Sequence, residues 1–110
     1  MQIKMNMISF FIAIIVCLLP AASTAQSEKE IKASIKGSDN YKKFERQFLK
    51  VSEKAIRSGK CTLADFKSSG GWAKATGKNS GKPVYFIYCG GFTLANRYYA
   101  NINTGSFYQE

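Results

Sequence analysis

Histidine is absent from all 110 residues, and Asp and Glu together number 7. Without an imidazole, neither a Ser-His-Asp nor a Cys-His nucleophile can be assembled, and the usual zinc sets lose a member. Cys61 and Cys89 stand far apart rather than in a C-x-x-C pair, which argues against a redox dithiol or a metal clip. Asp65 is the only acid between Glu53 and Glu110. Nothing in the pattern brings it a second carboxylate, as glycoside hydrolysis requires. Thr62-x-x-Asp65 gives it a structural task instead, a capping box over a helical turn that carries Leu63 and Phe66. The glycine-containing run at 77–82, GKNSGK, lacks the spacing of a phosphate loop and precedes a strand rather than opening a helix. No catalytic residue, metal or cofactor is expected, and the chain reads as non-enzymatic.

Binding is the chemistry that remains. Lys and Arg number 16, for a net charge of +9 and a pI near 9.6. Such a balance favours acidic partners, whether anionic lipid, envelope polysaccharide, nucleic acid or an acidic protein. Residues 1–25 read as a secretory signal peptide: Lys4 supplies the basic region, Ile8 to Leu19 the apolar region, and Ser23 and Ala25 the small residues before cleavage at Gln26. The apolar run of about twelve residues falls short of the roughly twenty that span a bilayer. The expected product is therefore exported, periplasmic or extracellular, with no integral membrane segment after processing. Losing Lys4 lowers the net charge from +9 to about +8. Export argues against a nucleic-acid partner, and no nucleic-acid motif is present. Cys17 leaves with the signal, so Cys61 and Cys89 are an even pair in an oxidising compartment and are expected to form a disulfide. In a chain this short, closing that loop stabilises by roughly 3 to 4 kcal/mol.

Three kinds of element have to position these residues. Residues 26–37 are polar and charged with two isoleucines, and read as a flexible N-terminal segment or a frayed turn. Residues 38–110 form a single domain. Ser38 or Asp39 offers an N-cap to one long amphipathic helix, whose apolar stripe is Tyr41, Phe44, Phe48, Val51 and Ala55, and which ends at Ser58 before Gly59. Across from that stripe lie Lys43, Arg46, Lys50, Lys54 and Arg57, a candidate face for anionic envelope material. Strands are expected at 72–76, from Val84 into Cys89, at 94–103 and at 106–108, with a turn at Asn103-Thr104-Gly105. The fold expected is α+β: one long N-terminal helix on an antiparallel meander of three to four strands, with one disulfide.

The run Val84–Cys89 is apolar on both faces, yet one helix covers only one face of a small sheet. Either the segment 61–69 folds back over the second face with Leu63 and Phe66, or that face is left for a partner. In the second case the candidate interaction surface is Tyr85, Arg97, Tyr99 and Asn101, a mixture of aromatic, arginine and amide that suits interface hot spots. The function expected is a small exported, disulfide-stapled protein-interaction module, such as an inhibitor, an immunity-type protein or an accessory subunit of an envelope system. The alternative is a basic binder of anionic lipid or polysaccharide through the helix face.

Overall fold

The computed structural model describes residues 28–110, so the signal peptide expected at 1–25 lies outside the described residues. The architecture is α+β, three helices followed by a four-stranded antiparallel sheet in the order β1-β2-β3-β4. The helices are α1 (28–34), α2 (Tyr41–Arg57) and α3 (Leu63–Ser69). The strands are β1 (Ala73–Lys74), β2 (Val84–Tyr88), β3 (Arg97–Asn101) and β4 (Ser106–Tyr108). Among the described residues no helix is long and apolar enough to cross a membrane.

The helical part differs from the single long helix expected. Within the segment expected to be flexible, Ile31 of α1 and Ile35 in the turn just after it are both buried, four residues apart and linked by the Ile35 N–H to the Ile31 carbonyl at 3.2 Å. The chain then breaks at 35–40 because its polar groups are claimed from elsewhere. Ser38 Oγ accepts from the Trp72 N–H at 2.8 Å, the Asp39 N–H donates to the Trp72 carbonyl at 2.9 Å, and Asp39 Oδ2 accepts from the Lys74 N–H at 2.8 Å. The two residues expected to cap the helix therefore bind the backbone at β1, and α2 starts from Asn40, in the left-handed region at φ 58°, without a side-chain cap. Close approach makes this crossing possible. A Cβ on Gly71, whose φ is 118°, would lie 2.5 Å from Ser38 Oγ. A further irregularity sits inside α2 at Phe44 (φ −128°, ψ 28°), whose ring packs edge-on against Phe48 and Tyr85.

Two strands are shorter than expected: that at 72–76 is reduced to Ala73–Lys74, and that at 94–103 to Arg97–Asn101, with Leu94–Asn96 forming a 3-10 turn. Elsewhere the local rules hold. Phe48, Val51 and Ala55 are buried as the stripe requires, and Gly59 follows the helix at φ 78°. Thr62 and Asp65 form the capping box of α3. Cys61 and Cys89 are bonded, joining the α2–α3 connection to the end of β2. Strand pairing runs Ala73↔Phe86↔Tyr99↔Tyr108 across all four strands, with Tyr88↔Arg97 and Val84↔Asn101 to either side.

Helices and core lie on one side of this sheet. Tyr85, Ile87 and Cys89 of β2, Ala100 and Ile102 at β3, and Trp72 ahead of β1 join Phe48, Val51, Ala55, Phe66 and Ile35 in one buried cluster. Phe48 meets Tyr85 edge-to-face at 5.0 Å, and Trp72 contacts both Phe66 and Phe107. The indole Nε1–H donates to Ser52 Oγ at 2.9 Å, which accounts for a fully buried serine in the helix stripe. Phe66 belongs to this cluster, so α3 adds to the inner layer and does not cover the second face.

Candidate functional site

The inward disulfide sets the parity of β2. With Cys89, Ile87 and Tyr85 inside, Phe86 and Tyr88 must point outward. The cross-strand register then lines Phe86, Tyr99 and Tyr108 in one row on the outer face, beside Tyr88 and Arg97. All five are partly buried rather than fully exposed. The loop at 77–82 reaches the C-terminus, where Asn79 Nδ2 donates to Glu110 Oε2 and Lys78 pairs with Glu110. The loop after β2 exposes Phe92 and Leu94.

Arg97 is the centre of the arrangement. Its guanidinium carbon lies 4.8 Å from the Phe86 ring centre and 5.1 Å from that of Tyr88. Its Nε–H donates to the Tyr88 hydroxyl at 3.1 Å, one Nη also donates to Tyr88, and the other donates to the Tyr99 hydroxyl at 3.3 Å. Hydrogen bonds to Tyr99 and Tyr88 push its pKa further above the ordinary arginine value, so its charge is permanent. No carboxylate pairs with it: the ion pairs among the described residues are Lys67–Glu30 and Lys78–Glu110. The remaining guanidinium N–H groups have no protein partner among the described residues.

The rings are arranged against one another. Tyr99 and Tyr108 stack at 5.9 Å and 20°, Phe86 and Tyr88 meet edge-to-face at 83°, and Arg97 covers faces of both Phe86 and Tyr88. The surface therefore offers ring edges, hydroxyls and one cation rather than open ring faces. Proteins that hold single-stranded nucleic acid on a sheet stack bases on free aromatic faces, and this face has few to give.

The expected interaction surface is corrected in one member and altered in another. Tyr85 is only 2% exposed, because the parity that turns Cys89 inward turns Tyr85 with it; its hydroxyl accepts from Asn40 Nδ2 at 2.8 Å. Arg97, Tyr99 and Asn101 do share the outer face, but Asn101 Oδ1 is engaged by the N–H groups of Asn103 and Thr104 and serves the turn. Phe86, Tyr88 and Tyr108 belong to the site and were not singled out from sequence. With Cys89 taken as inward, period-two alternation leaves Phe86 and Tyr88 as the outward residues of this strand.

The second candidate surface lies on the far side of the molecule. Lys43, Arg46, Lys50, Lys54 and Arg57 are all exposed along α2, and neither ion pair involves them. Lys54 Nζ donates to the Gly105 carbonyl at 2.9 Å, and Lys43 Nζ lies 5.2 Å from the Phe44 ring centre. An open depression of about 520 Å³ sits among Lys32, Lys42, Lys43, Glu45 and Arg46. Among the described residues no group of three His, Cys, Asp or Glu side chains comes together. Asp65 is fully engaged, Oδ2 accepting from Thr62 N–H and hydroxyl, and Oδ1 from Gly90 N–H.

Comparison of the chain with protein-family models, with curated proteins and with solved structures finds no match in any of the three.

Proposed function

We propose that the protein is a small exported, non-enzymatic interaction module that docks a folded protein partner through the outer face of its sheet. The observation that carries this reading is the Arg97 cluster: a permanent cation set among Phe86, Tyr88, Tyr99 and Tyr108, with no acid paired to it among the described residues. Tyrosine and arginine at a half-desolvated centre are the residues that dominate binding energy at protein interfaces. A partner carboxylate reaching Arg97 would complete its hydrogen bonding and add a charge-assisted contact.

A second reading, binding of anionic envelope lipid or polysaccharide through α2, is favoured by the run of five exposed cations that form no ion pair among the described residues. Salt and substitution separate the two. Capture from envelope extracts by Arg97→Ala and Tyr99→Ala proteins should fall at least tenfold, with the melting temperature within a few degrees of wild type. The quadruple Lys43→Gln, Arg46→Gln, Lys50→Gln, Lys54→Gln protein should capture the same partner undiminished, including near 1 M salt, where the screening length is about 3 Å. Capture that survives both outer-face substitutions but vanishes with the quadruple variant would transfer the function to the helix.

A further inference from the structure

The loop joining β2 to β3 is built to hold two apolar side chains in water. Phe92 is 68% exposed and Leu94 75%. Isolated exposed hydrophobics are ordinary on a protein surface. The backbone beneath these two is not left free, however. Cys89 is tied to Cys61, and its N–H donates to the Asn96 carbonyl at 2.9 Å. Gly90 N–H donates to Asp65 Oδ1 at 3.0 Å, Asn96 N–H to the Thr93 carbonyl at 3.0 Å, and Gln109 Nε2 to the Ala95 carbonyl at 2.8 Å. Asn96 Nδ2 donates to Thr93 Oγ1 at 2.9 Å across the loop. Gly90 and Gly91 take φ of 94° and 143°, and a Cβ on either would sit 3.3 Å from the Asn96 side chain. A disulfide, a carboxylate and two amide side chains thus converge to fix a turn whose tip is greasy. An apolar tip fixed in advance loses little freedom on insertion, which is what a tight-binding anchor requires.

The tip is continuous with the Arg97 cluster. Phe92 and Tyr88 rings are 5.7 Å apart, and Tyr88 is the ring that Arg97 covers. Beside Phe92 a cleft of about 180 Å³ opens between Phe86, Tyr88 and the α3 end at Ser69 and Gly71, apolar in lining and of a size for one inserted side chain. We propose that the loop Cys89–Asn96 is a pre-organised anchor for an acidic folded protein. Phe92 and Leu94 enter an apolar pocket of that protein, and a carboxylate on the pocket rim meets Arg97. This rests on the docking role of the outer sheet face and names the chemistry of its partner. Charge decides between occupants. Two copies meeting here would bring Arg97 against Arg97 on chains that each carry a strong positive charge, +9 before and about +8 after the expected processing. An anionic bilayer would be drawn to the lysines of α2, on the opposite side of the molecule from the tip.

Photo-cross-linking tests this directly. Phe92, Leu94, Tyr99 and Lys50 are replaced one at a time in the full chain by benzoylphenylalanine and irradiated in the cells that make the protein. The expected result is one polypeptide joined from 92, 94 and 99 and not from 50, at a peptide containing Asp or Glu. Phe92→Ser and Leu94→Ser should each weaken the affinity of that purified partner by about tenfold to a hundredfold, leaving the melting temperature unchanged. Cross-links from 99 alone, or tip substitutions that leave affinity unaltered, would overturn the anchor while the docking face stands. Lipid adducts alone, links to a second copy, or no link from any of 92, 94 and 99 would overturn both.

Discussion

Removing the Ser52 hydroxyl should destabilise the protein, although alanine is the better helix former. Ser52 is fully buried in the α2 stripe, and its Oγ is the acceptor for Trp72 Nε1–H at 2.9 Å. In Ser52→Ala the indole N–H stays buried without a partner, at a cost of about 1–3 kcal/mol. The helix-propensity gain, roughly 0.5 kcal/mol, returns part of that. A net loss of about 0.5–2.5 kcal/mol should lower the melting temperature by about 2–20 °C in a domain of this size. Urea unfolding followed by circular dichroism at the helix band provides the free energies for Ser52→Ala, Trp72→Phe and the double variant. Trp72→Phe alone should cost more, because it both orphans the hydroxyl and leaves a cavity against Phe66 and Phe107. The double variant should be less damaged than the two single losses added, since no polar group is then left waiting. If Ser52→Ala is as stable as wild type, or the two losses simply add, the buried hydrogen bond has no energetic role and the reasoning fails.

Reduction of Cys61–Cys89, which closes a span of 28 residues, should remove about 3–4 kcal/mol and lower the melting temperature by about 15–30 °C; a fall under about 5 °C, or two alkylatable thiols in the native protein, would refute it. Asp65 should make stability fall in acid. Burial raises its pKa, but the Thr62 and Gly90 N–H groups and the Thr62 hydroxyl lower it further, leaving it below the ordinary aspartate value. A folded pKa below the unfolded one contributes stability above the unfolded value and loses it as pH falls through the folded one. Melting temperatures measured downward from about pH 5 should therefore drop more steeply for wild type than for Asp65→Asn; parallel curves would remove this carboxylate from the account.

Much of this molecule is written in short-range pattern. Thr62-x-x-Asp65, the stripe from Tyr41 to Ala55 and the run Val84–Cys89 each refer to neighbours a few residues away, so the α3 cap, the helix stripe and the meander order were readable, while the 28-residue disulfide followed from the expectation of export, which left Cys61 and Cys89 as an even pair. The departures come from partners far along the chain. Ser38 and Asp39 have the chemistry of N-caps, but Trp72 and Lys74 present backbone groups that compete for them, and α2 starts from Asn40 without a side-chain cap. Ile31 and Ile35 look like part of a tether until a core exists to receive them. The candidate site shows the same division. Arg97 and Tyr99 were legible as polar-face residues of a strand. Their closure with Phe86, Tyr88 and Tyr108 depends on which side of the sheet the helices occupy. Period-two geometry gives both sides of β2 equal standing, and the choice between them is made by burying Tyr85 against Phe48 and bonding Cys89 to Cys61.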